Sequence, residues 1–243
     1  IGGWAFANCS SLTSVTIPDS VITIGYQTFR SCSSLTSIGV VDGNSEYTSQ
    51  DGVLFDKNKT SIIQYPAGKQ NGQYSIPASV TSIGSYAFEG CSSLTSVTIP
   101  ASVTSIGEFA FEYCNSLMSI GVVDGNSEYS SQDRVLFDKN KTTLIQYPAG
   151  KQNGQYSIPA SVTSIGSYAF VGCSSLTSVT IPDSVTSIES AAFADCSSLT
   201  SVTIPDSVTS IGNYAFVACN SLMSIGVVAG NSEYTSQDGV LFD

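Results

Sequence analysis

The cysteines of this chain recur at fixed intervals. They stand at Cys9, Cys32, Cys91, Cys114, Cys173, Cys196 and Cys219, separated by 23, 59, 23, 59, 23 and 23 residues. Around them runs one phrase, Cys9-Ser-Ser-Leu12-Thr-Ser-Val15-Thr-Ile17-Pro18, which returns at Cys91, Cys173 and Cys196. A longer period of 82 residues relates Cys32 to Cys114 and Cys91 to Cys173. Periods of this size mark a stack of similar turns, because one turn cannot bury its apolar face alone.

Within the short unit the spacing predicts a strand at Ser14–Pro18, with Val15 and Ile17 inward and Ser14 and Thr16 outward. Proline then ends the ladder, since it has no N–H to donate. All eight prolines hold only two slots, after Ile (Pro18, Pro77, Pro100, Pro159, Pro182, Pro205) or after Gln-Tyr (Pro66, Pro148). A second extended piece is expected at Val80–Ile83. Ala87-Phe88-x-x-Cys91 then suits a short helical turn facing the core. Phenylalanine precedes every cysteine by three positions. The expected core ladder is therefore Phe29, Cys32, Phe88, Cys91, Phe111, Cys114, Phe170, Cys173, Phe193, Cys196, Phe216 and Cys219. Strands in register would lie ~4.8 Å apart in one continuous parallel sheet.

The longer interval carries a cassette, over residues 35–77, 117–159 and 222–243. After the usual strand it inserts Asp42-Gly-Asn-Ser-Glu-Tyr47. Gly52–Phe55 and Ile62–Pro66, apolar runs around the polar turn Asp56–Thr60, predict a hairpin. Ala67–Gln73 follows as a loop. Residues 1–243 are expected to form a single solenoid domain. Ile1-Gly2 aligns with Ile24-Gly25 and Val240–Asp243 with Val53–Asp56, so a fragment of a longer protein is expected.

The phrase C-x-x-L-x-x-V/I-x-I-P-x-S-V-T-x-I-G-x-x-A-F resembles the Treponema-type, BspA-like leucine-rich repeats, and D-G-V-L-F-D-K-N-K-T-x-L/I-I-Q-Y-P-A-G-K resembles a companion module of the same proteins. That resemblance implies an α/β, β-dominated solenoid, right-handed and curved, with one parallel sheet, short helical turns and inserted β-hairpins. It also implies a cell-surface, extracellular protein that works in adhesion or protein binding, with a protein or glycan on another cell or matrix as partner. Glu189 departs from the pattern at a glycine position, and Ala229 replaces the aspartate of Asp42 and Asp124.

Chemistry is sparse. Lys and Arg number 8 against 19 Asp and Glu, for a net charge of −11, with no histidine. That balance disfavours nucleic acid, whose phosphates need cations, and docking to anionic lipid. No apolar run approaches the ~20 residues of a membrane span. A Cys–His nucleophile is impossible without histidine, and no C-x-x-C pair marks a metal. The thiols are expected to pack free in the core, as small hydrophobes. No enzyme and no cofactor is expected. Asp42-Gly-Asn44-Ser-Glu46 has oxygens at alternate positions, superficially like half a calcium loop, but a polar turn accounts for it. Asn58-Lys-Thr60, Asn140-Lys-Thr142 and Asn8-Cys-Ser10 are glycosylation sequons.

Two candidate binding surfaces follow. One is a polar-aromatic stripe on the cassettes: Tyr47, Lys57, Lys59, Tyr65, Lys69 and Tyr74, then Tyr129, Lys139, Lys141, Tyr147, Lys151 and Tyr156. These tyrosines serve either as contacts, where repetition adds avidity, or as packing between turns. The other is the hydroxyl face of Ser14, Thr16, Ser96, Thr98, Ser178, Thr180, Ser201 and Thr203, which is a solvated sheet or an array ordering water or sugar, ice included. Without polar caps on the stack, end-to-end self-association into a stalk or fibre is a further expectation.

Overall fold

Around Phe6, Phe88, Phe170 and Phe193, alternate backbone N–H groups point to the next turn instead of along their own. In the computed structural model, which describes residues 1–243, Trp4, Phe6 and Asn8 donate to the carbonyls of Tyr26, Thr28 and Arg30 at 3.1, 2.9 and 2.8 Å. Between them, Ala7 and Cys9 donate three residues back, to Trp4 and Phe6, at 2.9 and 3.0 Å. Tyr86–Cys91 and Tyr168–Cys173 repeat the alternation. An α-helix would commit every N–H to the carbonyl four residues back. The expected short helical turns therefore do not form, and no helix occurs.

The backbone manages this alternation with paired left-handed residues, two before and two after the phenylalanine. Trp4 and Asn8 have φ 64 and 62°, Tyr86 and Gly90 have 61 and 69°, and Ala191 and Asp195 have 52 and 58°. Left-handed backbone disfavours residues with a Cβ. It persists here because bonds from both neighbouring turns over-determine it.

The chain forms two compact units, Ile1–Leu117 with Gly121–Glu128, and Met118–Ile120 with Tyr129–Asp243. In the first, Ser14–Ile17 runs parallel to Ser37–Val40, Val15 opposite Ile38. Gln73–Ser75 runs parallel to Ser96–Ile99. In the second, Gln155–Ser157, Ser178–Thr180, Ser201–Ile204 and Ser224–Val227 form a parallel sheet. A separate ladder of short strands joins Thr143–Gln146, Ser164–Ile165, Ser187–Ile188 and Ser210–Ile211. The one continuous sheet expected from the repeat is thus several shorter ones. At Ser37–Val40 the cause is visible: Ile38 N–H donates to Gly52 O at 2.8 Å and Val40 N–H to Ser49 Oγ at 3.1 Å. The cassette itself occupies that edge.

Each full cassette holds three antiparallel strands where one hairpin was expected: Tyr47–Gln50, Val53–Asp56 and Ser61–Gln64 in the first. The extra strand enters through Asp51-Gly52, with φ 50 and 78°, the pairing that a two-residue hairpin turn favours. Asp56 closes the second turn, its carboxylate accepting from Thr60 Oγ1 at 2.7 Å and Ser61 N at 2.6 Å.

Apolar files fill the interior. Phe88, Phe170 and Phe193 are fully buried, and successive rings stack, Phe170 on Phe193 at 4.8 Å and Phe88 on Phe111 at 5.2 Å. Each buried ring is worth about 2–3 kcal/mol. Cys32, Cys91, Cys114, Cys173 and Cys196 are buried and free, Cys219 is half-buried and Cys9 exposed. Asn44, only 1% exposed, ties turns together: its Nδ2 donates to Pro18 O and Val21 O at 2.7 and 2.9 Å. Its Oδ1 accepts from the N–H groups of Glu46 and Tyr47. All four hydrogen-bonding capacities of the amide are thereby used.

Candidate interaction surfaces

Outside the phenylalanine file lies a second one, exposed at Trp4 and Tyr26 and half-buried at Tyr86 and Phe109. Trp4 meets Tyr26 edge-on with centroids 6.1 Å apart, Tyr26 meets Tyr86 at 5.4 Å and 89°, and Tyr86 stacks on Phe109 at 4.6 Å and 12°. Trp4 is 49% exposed and Tyr26 56%. The Arg30 guanidinium lies 5.4 Å over the Trp4 ring. In Trp4, Tyr86 and Phe109 the aromatic side chain stands on the left-handed residue that precedes the core phenylalanine by two. At the second turn Gln27 takes that backbone position (φ 51°) and Tyr26, one residue earlier, supplies the ring. Sequence reasoning missed this row because a one-residue offset hides it. The recurrent aromatic two before phenylalanine was the available signal.

The file crosses a place where the cassette turn is short. An ordinary turn passes from Ile83 to Phe88 through Gly84, Ser85, Tyr86 and Ala87. The cassette passes from Ile62, the strand partner of Ile83, to Tyr65, stacked on Phe88, through Ile63 and Gln64 alone. The flanking turns meet across the shortfall: Ser31 N–H donates to Glu89 Oε2 at 3.1 Å, and Arg30 Nε lies 3.9 Å from Glu89 Oε1. Two clefts remain beside this bridge. One of about 250 Å³ is lined by Tyr26, Gln27, Phe29, Ile62, Gln64 and Tyr86 among others. One of about 570 Å³ is lined by residues including Asn8, Ser31, Ser33, Glu89, Tyr113 and Asn115.

The cassette stripe does not assemble as one surface. Tyr65 and Tyr147 are buried and take the phenylalanine slot, stacking on Phe88 at 5.2 Å and Phe170 at 5.1 Å. A side chain in that file cannot meet a partner. Tyr74 and Tyr156 pack half-buried against them, at 4.9 and 4.8 Å. Tyr47 Oη accepts from Ile24 N–H at 2.8 Å, and Tyr129 is half-buried. The lysines largely hold their own cassette. Lys57 donates to Asn44 O, Lys59 to Gln50 Oε1 at 3.0 Å and Lys69 to Asp51 O at 2.6 Å. Lys141 and Lys151 repeat the last two with Gln132 and Asp133; Lys139 stands on the corresponding turn as Lys57 does.

The hydroxyl face is half-buried to exposed. Behind it, threonines stitch turn to turn: Thr95 Oγ1 donates to Gly72 O at 2.6 Å and Thr200 Oγ1 to Thr177 O at 3.1 Å. No group of three or more Cys, Asp or Glu is placed to hold a metal ion, and the Asn44 amide of the calcium-like loop is committed to the staple described above. No helix is long and apolar enough to cross a membrane.

Stacked parallel turns with shared leucine, isoleucine, phenylalanine and cysteine files define a β-solenoid of the leucine-rich repeat kind. The BspA type leucine rich repeat region (6 copies) matches residues 1–73, 65–152 and 149–237, and the chain belongs to that family. Among solved structures it is similar to a leucine-rich repeat protein from Eubacterium ventriosum, with 27% identity over 93% of this chain and 62% of that one, and a TM-score of 0.72. It shares its fold with the pneumococcal vaccine antigen PcpA, with 23% identity over 90% of this chain and 62% of that one, TM-score 0.59. It also matches a leucine rich cell surface protein from Faecalibacterium prausnitzii, with 23% identity, 94% and 83% coverage and TM-score 0.47. The chain spans 62% of the length of the first two. No curated protein matches it.

Proposed function

We propose that this chain is a non-enzymatic interaction scaffold displayed at the cell surface, where it binds a protein or glycan on another cell or in a matrix. The observation that carries this reading is the ring file Trp4, Tyr26, Tyr86 and Phe109, whose first two members are exposed. Aromatic side chains concentrate binding energy in interfaces, and a row of rings beside clefts that Gln27, Ser31 and Glu89 help to line offers stacking and hydrogen bonding together. Display outside the cell is the setting that membership of the BspA-like family implies. Leucine-rich repeat proteins of this family and fold are generally non-enzymatic, which supports display rather than catalysis.

The test compares the wild-type chain with a Trp4→Ala, Tyr26→Ala, Tyr86→Ala variant for binding to cultured epithelial cells and to a glycan array. Trp4 and Tyr26 are exposed and Tyr86 is half-buried, so the fold, checked by circular dichroism, is expected to persist while binding falls by about tenfold or more, the scale of aromatic hot spots. Undiminished binding would remove the ring file. A second reading, end-to-end assembly into a stalk, is favoured by turns that bond through their backbones in both directions, Phe88 N–H to Ala110 O in the next turn and Thr95 N–H to Gly72 O in the preceding one. Electron microscopy separates the two: discrete particles fit the first, filaments the second.

A further inference from the structure

We propose that Arg134 and Lys151, at one corner of the second cassette, form a binding site for an acidic saccharide whose carboxylate or sulfate the two cations hold. The first observation comes from comparing the three cassettes of the chain itself. Their hairpin turns read Asp51-Gly52, Asp133-Arg134 and Asp238-Gly239, and the second residue has φ 78, 69 and 80°. A Cβ added at Gly52 would lie 2.9 Å from Ser37 Oγ, and one at Gly239 would lie 3.0 Å from Ser224 Cβ. Arginine thus stands where both sister turns have glycine, in a conformation and a space that glycine suits better. An outlier of that kind points towards function.

The second observation is what surrounds it. Arg134 is exposed, and the structure gives its guanidinium no ion-pair or hydrogen-bond partner, leaving five donors unused. Beside it Lys151 is fixed, its Nζ 2.7 Å from Asp133 O and 5.6 Å above the Tyr147 ring. A cavity of about 520 Å³ opens there, lined by Met118, Asp133, Arg134, Lys151, Gln152 and Asn153. Burial, and then Arg134, hold Lys151 below the ordinary lysine value against the opposing Asp133. The corner sets two cations, Arg134 and Lys151, beside one aspartate, Asp133, in a chain whose net charge is −11. The first cassette has the same scaffold, with Lys69, Gln70 and Asn71 but Gly52 and Thr36 in place of Arg134 and Met118. It keeps one cation of the two.

The guanidinium fork matches carboxylate and sulfate oxygens two at a time. The Asn153 amide suits sugar hydroxyls, Gln152 being tied to Gly150 O and Ser175 Oγ, and half-exposed Met118 offers an apolar surface to ring C–H groups. This deepens the proposed scaffold function and rests on its glycan arm.

The experiment titrates the full chain with three probes, 3′-sialyllactose for a carboxylate, a sulfated heparin-derived disaccharide, and uncharged lactose, followed by calorimetry and by amide NMR shifts. The acidic probes are expected to bind, more weakly as salt is raised, and lactose not to bind. Arg134→Gly, which restores the residue of the sister turns, is expected to weaken the acidic probes by about tenfold or more, the loss of a charged hydrogen-bonding partner. Lys151→Gln is expected to weaken them as well. Which acidic probe binds tighter identifies the oxyanion. Equal binding by Arg134→Gly, equal binding of lactose, or no binding of either acidic probe overturns the site. Cell binding that survives Arg134→Gly but falls in the ring-file variant leaves the scaffold reading standing alone.

Discussion

The Sγ of Cys114 lies 3.0 Å from the carbonyl oxygen of Phe88, 26 residues earlier, and Cys196 repeats the contact with Phe170 at 3.2 Å. The same oxygens also accept the N–H three residues on, from Cys91 and Cys173. The thiol is a small apolar group with a weak donor, and this file uses both properties.

Reactivity follows from that placement. Burial pushes the Cys32 and Cys91 thiols up, and a thiol must ionise to be alkylated. Brief native iodoacetamide treatment, read by intact mass, is expected to modify exposed Cys9 quickly, half-buried Cys219 slowly, and the other five only after unfolding. Rapid modification of all seven in the native chain would contradict the buried file.

Asn44→Ala would strand two carbonyls and two N–H groups that the amide now satisfies. A loss of about 3 kcal/mol is expected, since unpaired buried polar groups cost about 1–3 kcal/mol. Asn126, which bonds Pro100 O and Val103 O, both at 2.9 Å, should behave alike. Denaturant midpoints measure both; a shift equal to that of an exposed Asn58→Ala control would refute the staple.

The Tyr65 and Tyr147 hydroxyls are buried with no protein partner, although ordinary turns put phenylalanine in the same slot. Tyr65→Phe and Tyr147→Phe are therefore expected to be neutral or stabilising by up to about 1 kcal/mol. Burial pushes the Tyr147 phenol up to about 12, against about 10 in an unfolded chain. The neutral form is the one the fold accommodates, so its contribution is complete below about pH 10 and disappears as pH rises to 12. Tyr147→Phe should flatten that part of the stability–pH curve, and an unchanged slope would refute the assignment.

Arg134→Gly relieves a left-handed arginine at φ 69°. A gain of about 1 kcal/mol is expected, the usual penalty for a side chain in that region. Thermal unfolding of the variant checks it. A decrease would mean that the side chain contributes packing that the turn geometry does not reveal.

The period of the cysteines made the stack and its phenylalanine–cysteine file legible in one dimension. Val15 and Ile17 are the more buried residues of their strand, as alternation required. Less legible were features that depend on which neighbour a group meets. The helical turn expected at Ala87–Cys91 was local reasoning, and it failed because alternate N–H groups have better partners one turn away. Tyr47–Gln50 went unrecognised as a strand although Asp51-Gly52 announced its turn. Tyr65 and Tyr147 were open between contact and packing, and the short cassette turn carries them into the phenylalanine file.

By itself the sequence determined that this chain repeats and which apolar side chains share a file, because identical turns stacked in register superpose identical positions. Only the tertiary structure decided which tyrosines are buried, where aromatic rings line up outside the core, and which arginine stands unpaired. Those outcomes depend on distances between turns, set where a cassette turn is two residues short or a glycine gains a side chain, and a linear period carries no distances.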